Sequence, residues 1–171
     1  MLRTIPMTRA HSLWGRLAGI ALFTVLMVVS SRISLETGNP EVPFTMQVLV
    51  VLLSGMVLGA RDGMITQIAY VGMIASGLPF DTRGLGSVAL FGPTGGFLLG
   101  FIASATVTGF LVERAGKRLW QRWLAGLVGV VVIYFFGASH LLLYTGMSVE
   151  RAWQVGVAPF WALDMVKALI A

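Results

Sequence analysis

One stretch decides the fold of this chain: Phe91-Gly92-Pro93-Thr94-Gly95-Gly96-Phe97-Leu98-Leu99-Gly100-Phe101, where a polar turn interrupts apolar sequence and a long apolar helix begins. Pro93 suits the first position of that helix, because it has no N–H to leave unpaired and its φ is already close to helical. Small residues on one helix face let neighbouring membrane helices approach closely. Here they recur every four positions, at Gly92, Gly96, Gly100 and Ser104. The stretch therefore predicts a tightly packed helix bundle.

The same helix start predicts a ligand site at the mouth of the bundle. Free N–H groups and the positive end of the helix dipole favour an anion there, close to Thr94. Arg83, in the preceding polar loop, is either a solvated cation or part of this anion site. Phe91 lies beside them, in a region where aromatic residues are also expected simply as part of an interfacial belt.

The composition is that of an integral membrane protein. Of 171 residues, 57% are hydrophobic and 11% are charged, whereas soluble domains carry about 25% charged residues. The net charge of +5 is concentrated in two short segments that flank apolar runs, which is typical of topology signals rather than of nucleic-acid binding. Cysteine is absent, which excludes disulfides and thiolate metal sites. We expect one membrane domain over residues 1–171.

Apolar segments and turns predict an all-α compact bundle of six transmembrane helices. The predicted helices cover residues 17–34, 44–60, 64–77, 93–112, 124–144 and 155–171. A tight turn at 59–63 separates the second and third helices, which are short for full spans of about 20 residues. The basic tail 1–16 and the basic loop 113–122 fall on one side, so the positive-inside rule places both termini in the cytoplasm. The basic start also resembles a signal peptide, but no small-x-small cleavage site follows it.

Asp164 and Lys167 stand out because charges inside membrane helices are costly and usually face a cavity or each other. They are three residues apart, hence on one helix face. They form either a mutually neutralising structural pair or a polar ligand site. Gln47, at a helix start, is either a capping group or a ligand contact, and Tyr70 is either a core aromatic or a ligand contact.

Three further local features carry expectations. Arg61 and Asp62 are adjacent in the tight turn and are expected to pair. Gly15 and Gly19, with Ala18 between them, form a small-residue pair suited to docking against another membrane helix. Phosphate-loop, His-Glu-x-x-His and Gly-x-Ser-x-Gly motifs are all absent. The chain therefore shows no route of its own to ATP hydrolysis by a phosphate loop and no catalytic motif.

Four blocks appear in an order that resembles a known family. They are Pro43-Phe44-Thr45-Met46-Gln47, Gly77-Leu78-Pro79-Phe80, the Gly-Pro-Thr-Gly-Gly block at 92–96, and Pro159-Phe160 followed by Asp164 and Lys167. The chain resembles the BioY family, the biotin-specific substrate-binding (S) components of energy-coupling factor (ECF) transporters. It departs from the pattern at Phe80-Asp81-Thr82-Arg83-Gly84, where many members have a glycine-rich run.

The resemblance implies a multi-pass protein of a prokaryotic plasma membrane that takes up biotin and is not an enzyme. It implies a transmembrane coupling subunit and two ATPase subunits as partners, with no cofactor, no metal and no nucleic acid. Small residues of the first helix would contact the coupling subunit, here Gly15, Ala18 and Gly19. The substrate-binding residues would be Gln47, Tyr70, Arg83, Phe91, Thr94, Asp164 and Lys167.

The chemistry of these side chains agrees with biotin. Asp164 can accept from ureido N–H groups, Gln47 can donate and accept, and Lys167 or Arg83 can meet the carboxylate. Three alternatives remain open from the sequence. They are an S component for another vitamin, an intramembrane enzyme with Asp164 and Lys167 as acid and base, and a membrane assembly protein without a small ligand.

Overall fold

A computed structural model describes residues 13–35, 41–115 and 118–171. Over these residues the regular structure is helical apart from one pair of two-residue strands. The elements are α1 Leu13–Arg32, β1 Ser34–Leu35, β2 Phe44–Thr45, α2 Gln47–Ala75, α3 Val88–Phe91, α4 Gly95–Arg114, α5 Leu119–Thr145, α6 Val149–Gly156 and α7 Trp161–Ile170. Among the described helices, four (α1, α2, α4 and α5) are long and apolar enough to cross a membrane. The prediction of an all-α membrane protein is confirmed. Residues 1–12 of the predicted tail lie outside the described residues.

Helix α2 is folded back on itself as a hairpin. In a straight helix, residues 47 and 70 would lie about 34 Å apart, yet Gln47 Nε2 donates to the Tyr70 hydroxyl at 2.7 Å. The helix reverses at Gly59, where φ is 84° and ψ is 176°. Residues 47–58 and 60–75 are therefore two antiparallel arms, and they correspond to the second and third helices of the sequence prediction. The predicted chain reversal is confirmed, but it lies at Gly59, and residues 60–63 already belong to the second arm.

The reversal in α2 is held by contacts from two other helices. Gly59 needs a left-handed conformation that side chains disfavour. The next backbone N–H, of Ala60, donates to Glu113 Oε1 at 2.8 Å, so a side chain of α4 satisfies the start of the second arm. The predicted pair between Arg61 and Asp62 is wrong, because the Asp62 carboxylate is bound at both oxygens by Arg16 of α1, at 2.8 and 2.6 Å. Arg61 and Asp62 are adjacent residues of one helix, and adjacent helix residues do not face each other.

Helix α4 packs in the centre of the bundle through its small residues. A Cβ atom at Gly96 would lie 2.5 Å from the carbonyl oxygen of Phe136, and one at Gly100 would lie 3.2 Å from Ile133 Cα. Both neighbours belong to α5, so the predicted small-residue face is a helix contact. On the α2 side, a Cβ at Gly55 would lie 2.5 Å from the Ala105 carbonyl oxygen. These crossings are held by van der Waals contact between backbones.

The C-terminal part of the chain differs from the prediction. The expected connector at 147–154 is largely helix α6, whose N-cap Ser148 Oγ accepts from Arg151 N at 3.2 Å. The expected single helix from residue 155 is broken, and α7 starts only at Trp161. Pro159 explains the break, because it has no N–H to donate and disfavours a helical residue before it.

Two smaller differences lie on either side of α4. The short helix α3 lies inside the predicted loop 79–91, and α4 begins at Gly95, with Thr94 as N-cap, rather than at Pro93. Helix α5 begins at Leu119, inside the predicted basic loop 113–122. A sequence pattern predicts the ends of a helix less accurately than its centre, because helix ends fray and the last turn is often irregular.

Candidate functional site

One end of the bundle contains a cavity where five parts of the chain converge. It is lined by the segment from β2 to the start of α2, the loop at 81–85, the junction of α3 and α4, and the facing sides of α5 and α7. Its walls are mainly aromatic and aliphatic, as in pockets that bind small organic ligands. The apolar lining includes Phe44, Val48, Phe97, Phe101, Ile133 and Phe160.

Asp164 and Lys167 lie on one wall of this cavity and are buried, with 2% and 4% of each residue exposed. Lys167 Nζ donates to Asp164 Oδ1 at 2.7 Å and to the carbonyl oxygen of Thr45 at 2.7 Å. The other carboxylate oxygen, Oδ2, accepts from the Tyr134 hydroxyl at 2.6 Å. The two interpretations left open by the sequence therefore describe the same pair, which is mutually neutralising and also lines the cavity.

Phe44 completes the environment of the lysine. The β1–β2 pairing sets Leu35 opposite Phe44, and the Phe44 ring centroid lies 3.8 Å from Lys167 Nζ. An ammonium over an aromatic face is stabilised by the ring quadrupole, more so where water is excluded. The same ring stacks on Phe160, with centroids 6.3 Å apart. The short strand thus supplies both an aromatic wall and, at Thr45, the carbonyl that holds the lysine.

Gln47 lies next to this pair and connects it to a second polar cluster. Gln47 Nε2 donates to the Tyr70 hydroxyl at 2.7 Å, and Gln47 Oε1 accepts from the hydroxyls of Thr45 and Thr82, both at 3.2 Å. Tyr70 donates in turn to the carbonyl oxygen of Phe80 at 3.0 Å. Because Thr45 contacts both Lys167 and Gln47, polar groups run without a break from Tyr134 to Thr82.

The loop above the cavity is held by its own aspartate. Asp81, of which 5% is exposed, accepts from the backbone N–H groups of Arg83 at 3.0 Å and Gly86 at 2.8 Å. Gly86 has a φ of 59°, which favours glycine. Arg32, at the end of α1, donates to the carbonyl oxygen of Pro79. The loop thereby presents Asp81, Thr82 and Arg83 to the cavity.

Five of the seven residues predicted to bind substrate line this cavity, and two do not. Gln47, Arg83, Thr94, Asp164 and Lys167 are lining residues. Tyr70 is fully buried behind Gln47 and is not among them. Phe91 is 66% exposed and lies outside the lining, because α3 turns it away from the bundle.

Tyr134, Asp81 and Thr82 were not predicted as site residues, and no role was predicted for Thr45. Tyr134 lies in an uninterrupted apolar run of α5, where no spacing or charge sets it apart. Asp81 and Thr82 lie in the segment that departs from the family pattern, so no motif marks them. The role of Asp81 is visible only in the structure, where its carboxylate accepts from two backbone N–H groups.

In the part of the chain that the structure describes, no cluster of three or more metal-ligating side chains is found.

The three residues predicted to dock against a partner differ in exposure. Gly15 and Ala18 are exposed. Gly19 instead faces α2, where a Cβ would lie 2.9 Å from Leu58 Cδ2. The small side of Gly19 therefore serves packing within this chain.

Comparisons with known proteins agree with this architecture. The model of the BioY family matches residues 6–171. The chain belongs to the BioY family. The biotin transporter BioY of Thermotoga maritima is 40% identical over 151 residues, covering 88% of this chain and 87% of that protein. The biotin transporter BioY of Rhizobium etli is 38% identical over 161 residues, covering 88% and 86%.

The fold of this BioY family member is also that of a solved structure. A crystal structure of the S-component for biotin from an ECF-type ABC transporter superposes with a TM-score of 0.85 at 22% identity, covering 94% of this chain and 90% of that one. Together with the apolar helices, the prokaryotic relatives identify a multi-pass protein of the prokaryotic plasma membrane. The family is one of transporters rather than enzymes.

Proposed function

We propose that this chain takes up biotin as the substrate-binding component of an ECF-type transporter. The observation that carries the proposal is the polar row Tyr134–Asp164–Lys167–Thr45–Gln47 along one wall of an otherwise apolar cavity. Biotin has matching parts: a ureido group with donors and an acceptor, an apolar sulfur ring and a carboxylate. The named relatives are biotin transporters, which supports the same ligand.

The ureido group fits the polar row. Each oxygen of the Asp164 carboxylate already accepts one hydrogen bond and keeps a second lone pair for a ligand N–H. Donors for the ureido oxygen are available on Lys167 and Gln47. The sulfur ring would lie against Phe44 and Phe160.

The carboxylate of biotin fits the opposite side of the cavity. Arg83 and the start of α4 at Thr94 both line it there. A guanidinium and helix N–H groups favour an anion. Lys167 is less suited to the carboxylate, because its ammonium is already shared between Asp164 and Thr45.

An intramembrane enzyme using Asp164 and Lys167 is disfavoured by the same geometry. Each group is the other's hydrogen-bond partner, and Tyr134 and Thr45 take further bonds. A general base needs a carboxylate free to remove a substrate proton. These groups are arranged to bind a neutral polar group such as the ureido group.

The proposed topology has six membrane crossings, by α1, the two arms of α2, α4, α5 and α7, with both termini in the cytoplasm. The turn of α2 and the basic loop 113–122 then lie at the inner surface, where Arg16 and Glu113 contact that turn. The cavity opens at the outer surface. Arms of 12 and 16 residues rise about 18 and 24 Å, which suits a locally thin membrane or deep embedding in the bundle.

ATP-driven uptake would require a transmembrane coupling subunit and two ATPase subunits. The chain has no phosphate-loop motif of its own, and the exposed small residues Gly15 and Ala18 offer a face for a partner helix. In liposomes with ATP, the isolated chain should show no ATP-driven accumulation of biotin. Such accumulation would contradict this part of the proposal.

Equilibrium binding of labelled biotin to the purified protein tests the ligand. Biotin should bind without chemical change, and thiamine and riboflavin should bind more weakly. Tighter binding of either of these vitamins would assign the chain to another substrate. Conversion of biotin into a product would revive the enzyme hypothesis.

A further inference from the structure

Tyr70 contacts the cavity only through another side chain. It is fully buried, in the second arm of α2, and does not line the cavity. Its hydroxyl oxygen lies 2.7 Å from Gln47 Nε2 and 3.0 Å from the carbonyl oxygen of Phe80, and the Ser31 hydroxyl is a further neighbour that donates to the same carbonyl. Any effect of Tyr70 on a ligand therefore passes through Gln47 or through the loop that contains Phe80.

The short contact between the Tyr70 hydroxyl and the Phe80 carbonyl fixes where the tyrosine proton lies. Two oxygen atoms 3.0 Å apart repel unless a proton lies between them, and the Phe80 carbonyl has none to give. Tyr70 must donate its single proton to Phe80. Its oxygen is then an acceptor toward Gln47, and only the NH2 group of the Gln47 amide satisfies an acceptor.

The other end of the Gln47 amide is closed to a ligand. With the NH2 group facing Tyr70, Oε1 faces the hydroxyls of Thr45 and Thr82, each at 3.2 Å. A carbonyl oxygen has two lone pairs, and both are engaged. What Gln47 retains for the cavity is its second N–H, which is a donor.

We infer that Tyr70 is a positioning residue that sets the polarity of the Gln47 amide, so that this part of the cavity takes a hydrogen-bond acceptor and rejects a donor. The inference rests on the proposed function, and it deepens it by naming the ligand atom: the acceptor is the ureido oxygen of biotin. Asp164, reached from Gln47 through Thr45 and Lys167, accepts from the neighbouring ureido N–H.

The imino analogue of biotin tests this polarity. Its guanidinium group replaces the ureido oxygen by an N–H donor and leaves the ring and the carboxylate unchanged. The wild-type protein should bind biotin about 10- to 100-fold more tightly than the imino analogue, since a buried donor would meet a donor. Tyr70→Phe removes the acceptor that orients the Gln47 amide. The ratio of the affinities for biotin and the imino analogue should therefore fall by about 3- to 10-fold.

Two further variants separate polarity from general damage. Gln47→Glu replaces the donor by acceptors and should reverse the preference toward the imino analogue. Tyr144→Phe is the matched control, because it removes a tyrosine hydroxyl from an exposed residue that does not line the cavity. It should keep the wild-type ratio of the two affinities.

The ratio of the two affinities would stay unchanged if Tyr70 had only a structural role. If Tyr70→Phe weakens both ligands by the same factor, or if Gln47→Glu keeps the wild-type preference, the inference is wrong. Should Tyr70→Phe fail to fold, Gln47→Glu decides alone. A wild-type protein that binds no biotin overturns the proposed function itself, whereas biotin binding without discrimination overturns only the assigned polarity.

Discussion

The glycine-packed crossing of α2 and α4 and the polar wall of the cavity are both buried, yet they depend on opposite properties of their residues. At the crossing, glycines leave no room: a Cβ at Gly109 would lie 2.6 Å from Ala60 Cα. On the cavity wall, Asp164, Lys167 and Gln47 are large, and hydrogen bonds set their positions. The crossing is thus sensitive to size, and the wall is sensitive to the placement of donors and acceptors.

The largest effect is expected at the crossing. Gly109→Leu would push α4 away from the α2 turn, because backbone atoms of that turn leave no room for a side chain, so little folded protein should be recovered. Gly72→Leu is the matched control. It makes the same substitution in a transmembrane arm of α2, at a position where nothing lies within 4 Å of a Cβ. Monodisperse yield and thermal melting in detergent measure both. Equal stability of the two variants would show that the α2–α4 crossing can accommodate a larger side chain.

The next largest effect concerns the charged pair on the wall. Asp164→Asn and Lys167→Ala should each weaken biotin binding by about 10- to 100-fold, since a hydrogen bond to a charged group contributes roughly 1.5–3 kcal/mol. Tyr134→Phe removes only one bond to Asp164 and should cost about 3- to 10-fold. Titration calorimetry gives the affinities. Unchanged affinity in the folded fraction would make the pair purely structural.

Two neighbouring positions of helix α1 should separate packing within this chain from docking to a partner subunit. Gly19→Leu should lower the melting temperature, because its side chain would meet Leu58. Ala18→Leu lies on the exposed side and should leave stability and biotin affinity unchanged while it disrupts the complex with the coupling subunit. Co-purification beside biotin affinity measures this. An intact complex with Ala18→Leu would place the docking surface elsewhere.

The smallest effect is expected at Phe91. It is 66% exposed and outside the cavity, so Phe91→Ala should change biotin affinity by less than about twofold. Phe160→Ala, which removes a buried aromatic wall, should weaken binding by about tenfold or more, in line with the loss of a large buried apolar side chain. Equal effects of the two changes would mean that the loop closes Phe91 onto the ligand.

Much of the packing was predictable from local pattern. The small residues at Gly96 and Gly100 do pack against α5, and the chain does reverse near Gly59. Asp164 and Lys167 do share a face and a bond, because residues three apart on a helix are neighbours. In each case either the interacting residues are close in sequence, or the structure requires only that the residue be small.

Pairings between distant residues were not predictable. Asp62 is bound by Arg16, 46 residues away, rather than by its neighbour Arg61. Lys167 donates to a carbonyl 122 residues away. Gly19, predicted to dock against a partner, faces Leu58 of α2 within this chain instead.

By itself, the sequence determined a membrane-embedded helical protein of the BioY family, the reversal near Gly59, its small-residue faces and the charged pair Asp164 and Lys167. These depend on composition, periodicity and short motifs, which are local properties. Only the tertiary structure decided that Tyr70 stands behind Gln47, that Tyr134 holds Asp164 and that Phe91 faces away from the cavity. The physical reason is that a hydrogen bond depends on distances of about 3 Å between groups that helix crossings bring together, and no spacing along the chain encodes that distance.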